Sequence, residues 1–254
     1  YETELGDDWN HIMIVYDNKL PTIYLNGQSV HTGLSSPREI VSAPIQFGGM
    51  AYGYFEGLMD EVRIYNRVLS AAEIKKLAAR PKAWSPDPPS GSMFPDTWVS
   101  LSWSPGDFAI SHDVYLGENF SEVSEGLGDT FRGNQATEYY VAGFPGFAYP
   151  DGLVPGTTYY WRIDEVNDAD PNSPWIGDVW SFAIPPKKAY EPEPTNGMMF
   201  VDPNITLGWR AGFGSKLHTV YFGDNFDDVN GAAAGPPQAV TTYNAGPLEL
   251  NKTY

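Results

Sequence analysis

The feature that most constrains this chain is an internal repeat. Seventeen identities stretching from Ala83 to Val123 recur at a fixed offset of 189 − 83 = 106, with no gap. They include Trp103 and Trp209, His112 and His218, Tyr115 and Tyr221, and Asn119 and Asn225. A period near one hundred residues is a whole small domain rather than a solenoid unit of roughly 20–50 residues. Further on, Leu153–Tyr159 aligns with Leu248–Tyr254 at an offset of 254 − 159 = 95, so the second copy is shorter by about 106 − 95 = 11 residues, expected to be lost in the middle loop. The first copy continues as Tyr160–Asn167 and Val179–Phe182, which read as its last two strands. The second copy is expected to stop before its fold is finished, and the natural polypeptide to extend beyond both ends.

Nearly every periodic segment reads as strand. His11–Tyr16 and Thr22–Leu25 are rich in β-branched and aromatic residues, separated by a turn at Asp17–Pro21. Asn26-Gly27 then signals a hairpin returning through Gln28–Thr32. A further pair is expected at Ile45–Phe47 and Gly57–Tyr65. One helix is predicted: Ser70-Ala71-Ala72-Glu73 fits a capping box, helix formers follow to Arg80, and Pro81 stops it. Gly and Pro together number 26 + 22 = 48, near a fifth of the chain and short of low-complexity composition. The fold class is therefore all-β, with Trp103, Trp161, Trp180 and Trp209 as core residues.

Composition excludes several functions. With 15 Lys+Arg against 32 Asp+Glu the formal net charge is −17, which argues against nucleic acid or an anionic membrane as partner. The absence of cysteine excludes disulfides, thiolate metal sites and thiol nucleophiles. No apolar run approaches the roughly 20 residues of a membrane span. The four histidines are scattered without paired ligand spacing, and His112 and His218 share a repeat position, which argues for a structural role common to both copies, the alternative for that pair being metal ligation. Asp60-Glu61 and Asp164-Glu165 lie on expected strands, so neighbouring carboxylates point to opposite faces and form no dyad. Asp168-Ala169-Asp170-Pro171-Asn172 places oxygens at alternate positions like the start of a calcium loop, but the later ligands are missing.

Glycan recognition needs exposed aromatic platforms. Tyr52, Tyr54 and Phe55 lie in the Gly-rich loop Gly48–Gly57, and Trp175 lies in a Pro-flanked loop. Tyr52, Tyr54 and Trp175 are the candidate ligand-binding residues; the alternative for each is an aromatic covering a core edge.

Two resemblances follow. Trp9-x-His11-Ile12, Tyr24-Leu25-Asn26-Gly27 and the closing run Phe55-x-Gly57-x-x-Asp60-Glu61-Val62-Arg63-Ile64-Tyr65-Asn66-Arg67-x-Leu69-Ser70 resemble the C-terminal half of a laminin-G-like, concanavalin A-like jelly roll. Trp103, Val114-Tyr115 and Leu153-x-Pro155-x-Thr157-x-Tyr159 resemble a fibronectin type III-like sandwich, in which Tyr159 is the tyrosine corner. The Phe144–Tyr149 stretch departs from that pattern. The implied organisation is a partial jelly roll at 1–80, then two Ig-like or fibronectin III-like modules at 83–185 and 189–254, the second incomplete. The jelly-roll resemblance implies a structural Ca²⁺ with Asp60 among its ligands, the alternative being a solvated turn carboxylate. The E-x-D-x-x-E motif of jelly-roll glucanases is absent, and no catalytic residue is expected.

The reading is a non-catalytic carbohydrate-binding or adhesion segment of a large secreted or cell-surface bacterial protein. Its partner is polysaccharide or cell-surface glycan, and the Pro-rich linkers Pro81–Pro89 and Pro185–Pro194 serve as spacers. The alternatives are an accessory region of an extracellular polysaccharide-degrading enzyme, and a surface-layer or filament subunit whose sandwiches neighbouring chains complete.

Overall fold

The computed structural model describes residues 5, 9–35, 37, 48–49, 53–233 and 235–254. Strands predominate and helices are few and short, so the chain is all-β. It falls into two compact units, Tyr1–Arg80 and Pro81–Tyr254.

The first unit holds an antiparallel sheet of β1 (Ile12–Asp17), β2 (Leu20–Leu25) and β3 (Gln28–Thr32), in that order. The turn between β1 and β2 is shorter than the sequence suggests. Asn18 and Lys19 alone take the left-handed conformation (φ 46° and 67°), while Leu20 and Pro21 pair with Asp17 and Tyr16. Two central residues at positive φ match the right-handed strand twist, which draws the ladder tight up to the turn. At the next turn Gly27 has φ 77°, and a Cβ there would stand 3.1 Å from the Lys75 Cα.

Two-residue strands β4 (Gly48–Gly49) and β5 (Gly53–Tyr54) pair with each other. The expected strand at Ile45–Phe47 lies outside the described residues. Gly57–Tyr65 is not a strand, a correction whose physical cause is Glu61. Its φ of 52° turns the backbone left-handed in the middle of the run, and Leu58, Val62 and Ile64 are left exposed.

Helix α1 (Ala71–Ala78) begins on the expected box. The Ser70 hydroxyl accepts from the Glu73 N–H at 3.3 Å, and the Glu73 carboxylate accepts from the Ser70 N–H at 2.8 Å. Ile74 is its fully buried residue.

The second unit contains a two-layer sandwich. One layer orders β10 (Phe131–Gln135), β9 (Ser111–Gly117), β12 (Thr158–Val166), β13 (Trp180–Ala183) and β7 (Ser92–Met93). The other orders β11 (Tyr139–Ala142), β8 (Val99–Ser104) and β6 (Trp84–Asp87). Alternation sends Val99, Leu101 and Trp103 inward from one layer to meet Val114, Leu116, Tyr159, Trp161, Ile163 and Phe182 from the other. Trp161 lies between Trp103 (6.3 Å between centroids) and Trp180 (4.7 Å). The Tyr159 hydroxyl accepts the Val154 N–H at 2.9 Å, five residues upstream.

Helix α2 (Phe120–Glu125) starts on Asn119, whose side chain accepts from the Ser121 and Glu122 N–H groups, and ends on Gly126 at φ 68°. The second copy repeats this framework: sheet β14 (Tyr190–Glu193), β15 (Thr206–Arg210), β16 (Thr242–Asn244) and helix α3 (Phe226–Gly231), capped identically by Asn225.

Hydrogen bonds locate the deletions. Gln135 Nε2 donates to the Thr137 and Tyr139 carbonyls, and Gln238 Nε2 donates to those of Val240 and Thr242, an offset of 238 − 135 = 103. Glu249 N–H donates to the Tyr254 hydroxyl as Val154 N–H does to Tyr159, at offset 95. The 11 residues are therefore lost in two places, 106 − 103 = 3 before the glutamine and 103 − 95 = 8 before the tyrosine. Trp209, expected in the core, is only half-buried, whereas Trp103 is buried.

The Glu73 carboxyl is held down at about 2, first by Arg67 and then by the Ser70 N–H and hydroxyl. Because the folded value lies below the unfolded one, the cap's contribution is present above the ordinary carboxylate range and is lost as pH falls through about 2. An NMR titration of the Ser70 and Glu73 amides should show that low midpoint, and Arg67→Ala should raise it. Independently, Tyr159→Phe should cost about 1–3 kcal/mol in urea unfolding, since it orphans the Val154 N–H.

Candidate functional site

Trp175 is placed by main-chain pairing beside β12. Its N–H and carbonyl exchange bonds of 2.9 and 3.0 Å with Glu165. The half-buried ring lies 5.7 Å from that of Phe108, tilted by 35°. Asn167 ties the two loops together, donating to the Phe108 carbonyl at 2.8 Å through its side chain and to the Ser173 hydroxyl through its backbone. Ile110 and Ile176 are exposed. The result is an aromatic surface held by backbone bonds, with the exposed Asp168 and Asn172 in the adjoining loop. The Asp170 carboxylate is taken up by the backbone and side-chain N–H groups of Asn172, both at 2.9 Å, so that loop spends its own oxygens on its turn.

Tyr54 lies on β5 with its backbone paired to Gly48, and Tyr52 lies outside the described residues. Tyr54 and Asp60 belong to the first unit and Trp175 to the second. Asp60 is exposed, and its Oδ1 accepts the Glu61 N–H at 2.7 Å while Glu61 pairs with Arg63. No group of three or more His, Asp or Glu arranged to hold a metal occurs among the described residues. Calcium takes six to eight oxygens, and a single carboxylate supplies at most two of them, so a site at Asp60 would need further ligands beside it.

Sequence reasoning missed the two most unusual side-chain clusters. Asp164 and Glu165 do point to opposite faces of β12, but both are buried, at 3 % and 0 % exposure. On the inner face Glu165 Oε2 accepts from His112 Nδ1, and Oε1 accepts the Gly106 N–H at 2.9 Å. The imidazole meets Trp103 edge-on at 5.4 Å, and the second copy keeps that contact between His218 and Trp209 at 5.6 Å.

On the outer face Asp164 pairs with Arg162 at 2.9 Å and accepts the Gly177 N–H at 2.9 Å. Arg162 stacks over Tyr115 at 4.3 Å and donates to the Ser124 carbonyl at the end of α2. Burial pushes the Asp164 carboxyl up, against the Gly177 N–H and Arg162, which pull it down. Gly177 must be glycine, because a Cβ there would fall 2.1 Å from the Ile163 carbonyl oxygen. The usable signal was the Trp–His pair shared at both repeat positions, which marks a contact common to the two copies. Both carboxylates are fully engaged with fixed protein partners, an arrangement that orders the sandwich and leaves neither poised for acid–base work.

With this geometry in hand, comparison with known families adds one finding. Residues 2–75, most of the first unit, match the family model described as the concanavalin A-like lectin/glucanases superfamily. No curated protein matches the chain.

Removing one member of the buried pair leaves the other stranded. His112→Leu or Glu165→Leu should each cost about 3–5 kcal/mol in urea unfolding, and the double change should recover much of that loss.

Proposed function

We propose that this polypeptide is a non-catalytic, carbohydrate-binding segment of a secreted multidomain bacterial protein. The concanavalin A-like unit carries the principal glycan contacts, and the modules at 83–185 and 189–254 are fibronectin III-like spacers. The observation that carries this reading is the match of residues 2–75 to a superfamily of lectins and glucanases. The tyrosine hydrogen bond repeated at Tyr159 and Tyr254 supports the second part. Among the described residues no helix is long and apolar enough to cross a membrane. The acidic balance, net −17, favours neutral over polyanionic polysaccharide.

Co-sedimentation of the whole chain with insoluble cellulose, xylan and chitin tests the reading. The expected result is retention on at least one of them without release of reducing ends. Failure to pellet with any polysaccharide overturns it, as does release of reducing sugar.

A further inference from the structure

A cavity of about 520 Å³ opens in the first unit between the β1–β2 hairpin and the segment leading into α1. Asp17, Asn18, Thr22, Tyr24 and Ser35 line one side, and Val68 and Leu69 supply an apolar wall. The volume lies within the roughly 300–1,000 Å³ of small-ligand sites. None of these residues belongs to the aromatic loop at 52–55 or to the Trp175 surface.

Four local devices fix the walls. The left-handed pair Asn18-Lys19 sets the hairpin tip, and the β1–β2 register carries Asp17, Thr22 and Tyr24 on paired strands. Opposite them, the Ser70 capping box locks the start of α1, and Arg67 forms a two-bonded ion pair with Glu73 at 2.7 and 3.2 Å. Buried Leu69 is pinned between those two anchors. A cavity whose opposite walls are each held by local hydrogen bonds is preorganised, so a ligand need not order it.

The chemistry of the lining selects the ligand. The side chains of Asp17, Asn18, Tyr24 and Ser35 make no hydrogen bond to another described residue. The only side-chain contact of Thr22 is the 3.5 Å approach to the Thr32 hydroxyl. Among the described residues the lining thus offers a carboxylate, an amide, three hydroxyls and one aromatic ring beside the aliphatic Val15, Leu20, Val68 and Leu69, with no cation. A carboxylate accepts two hydroxyl protons at once, an amide both donates and accepts, and a tyrosine ring beside an aliphatic wall covers C–H groups. Vicinal diols on a pyranose ring present that combination. An anionic sugar would meet Asp17 with no countercharge among the described lining residues, and a purely apolar ligand would strand the polar groups.

We infer that this cavity is a subsite for a neutral mono- or disaccharide unit, with Asp17 and Asn18 as hydroxyl-binding groups and Tyr24 as the ring contact. The inference rests on the carbohydrate-binding reading above and assigns a place to it.

The test titrates the full 254-residue chain with cellobiose, xylobiose and maltose, and with digalacturonate as the charged control, followed by amide NMR. At least one neutral disaccharide should shift Asp17, Thr22, Tyr24 and Leu69 together, while digalacturonate leaves them in place. Asp17→Asn, an exposed and isosteric change that leaves the hairpin intact, should weaken the affinity tenfold or more. Tyr24→Phe should keep most of the binding, because it retains the ring. Retention on insoluble polysaccharide with no shift in these residues, or with unchanged affinity in Asp17→Asn, overturns the cavity assignment and leaves the broader reading standing. Loss of both retention and shifts overturns the two together.

Discussion

Strand β12 must carry a buried carboxylate on each of its faces, and the rest of the second unit is arranged around that demand. A strand covered on both sides ordinarily reads as an unbroken apolar run. Here Arg162, Asp164 and Glu165 interrupt it, and each acid acquires partners from separate elements. Glu165 draws on β9 through His112 and on the loop after β8 through Gly106. Asp164 draws on its own strand through Arg162, and through Gly177 on the segment that leads to β13. These bonds tie β8, β9, β12 and α2 into one register, because a slip of one residue would exchange the faces and strand both charges.

The same logic explains which parts were legible in sequence. The capping box at Ser70–Glu73 and the corner tyrosines are local devices, so short motifs betray them, whereas the short Asn-capped helices α2 and α3 were not anticipated. The repeat offset was legible for a related reason: tandem copies expose shared positions without any structural knowledge. What escaped was the consequence of long-range packing. Asp164 looks like a strand surface residue until Arg162 and the Gly177 segment close over it, and Glu165 until His112 and the loop at Gly106 do. Trp209 looks like Trp103, yet stays half-buried, since burial depends on what lies against the sheet and not on the strand that bears the ring. Glu61 shows the converse: a run with strand composition was broken by one left-handed residue that no propensity announces.

For the candidate site, the residue types were legible and their surroundings were not. Trp175 was identifiable from its Pro-flanked loop, but the Phe108 neighbour comes from 67 positions earlier, 175 − 108 = 67, and only the fold unites them. Asp60 drew attention through resemblance, and its exposed place beside the Glu61 N–H could emerge only in three dimensions. The first-unit cavity combines a hairpin tip with a helix start more than 45 positions away, 70 − 18 = 52, and no linear pattern records that meeting.

The eight residues that distinguish the first copy from the second lie between two hydrogen-bonded landmarks that both copies preserve, the glutamine side chain before and the tyrosine hydroxyl after. Extra chain has therefore been spliced in without disturbing the frame on either side. Loop-closure entropy rises only about 0.6 kcal/mol for each doubling of length, so the framework tolerates such growth cheaply. That junction is the natural point at which to graft foreign sequence, such as an epitope or a fluorescent label, onto this module.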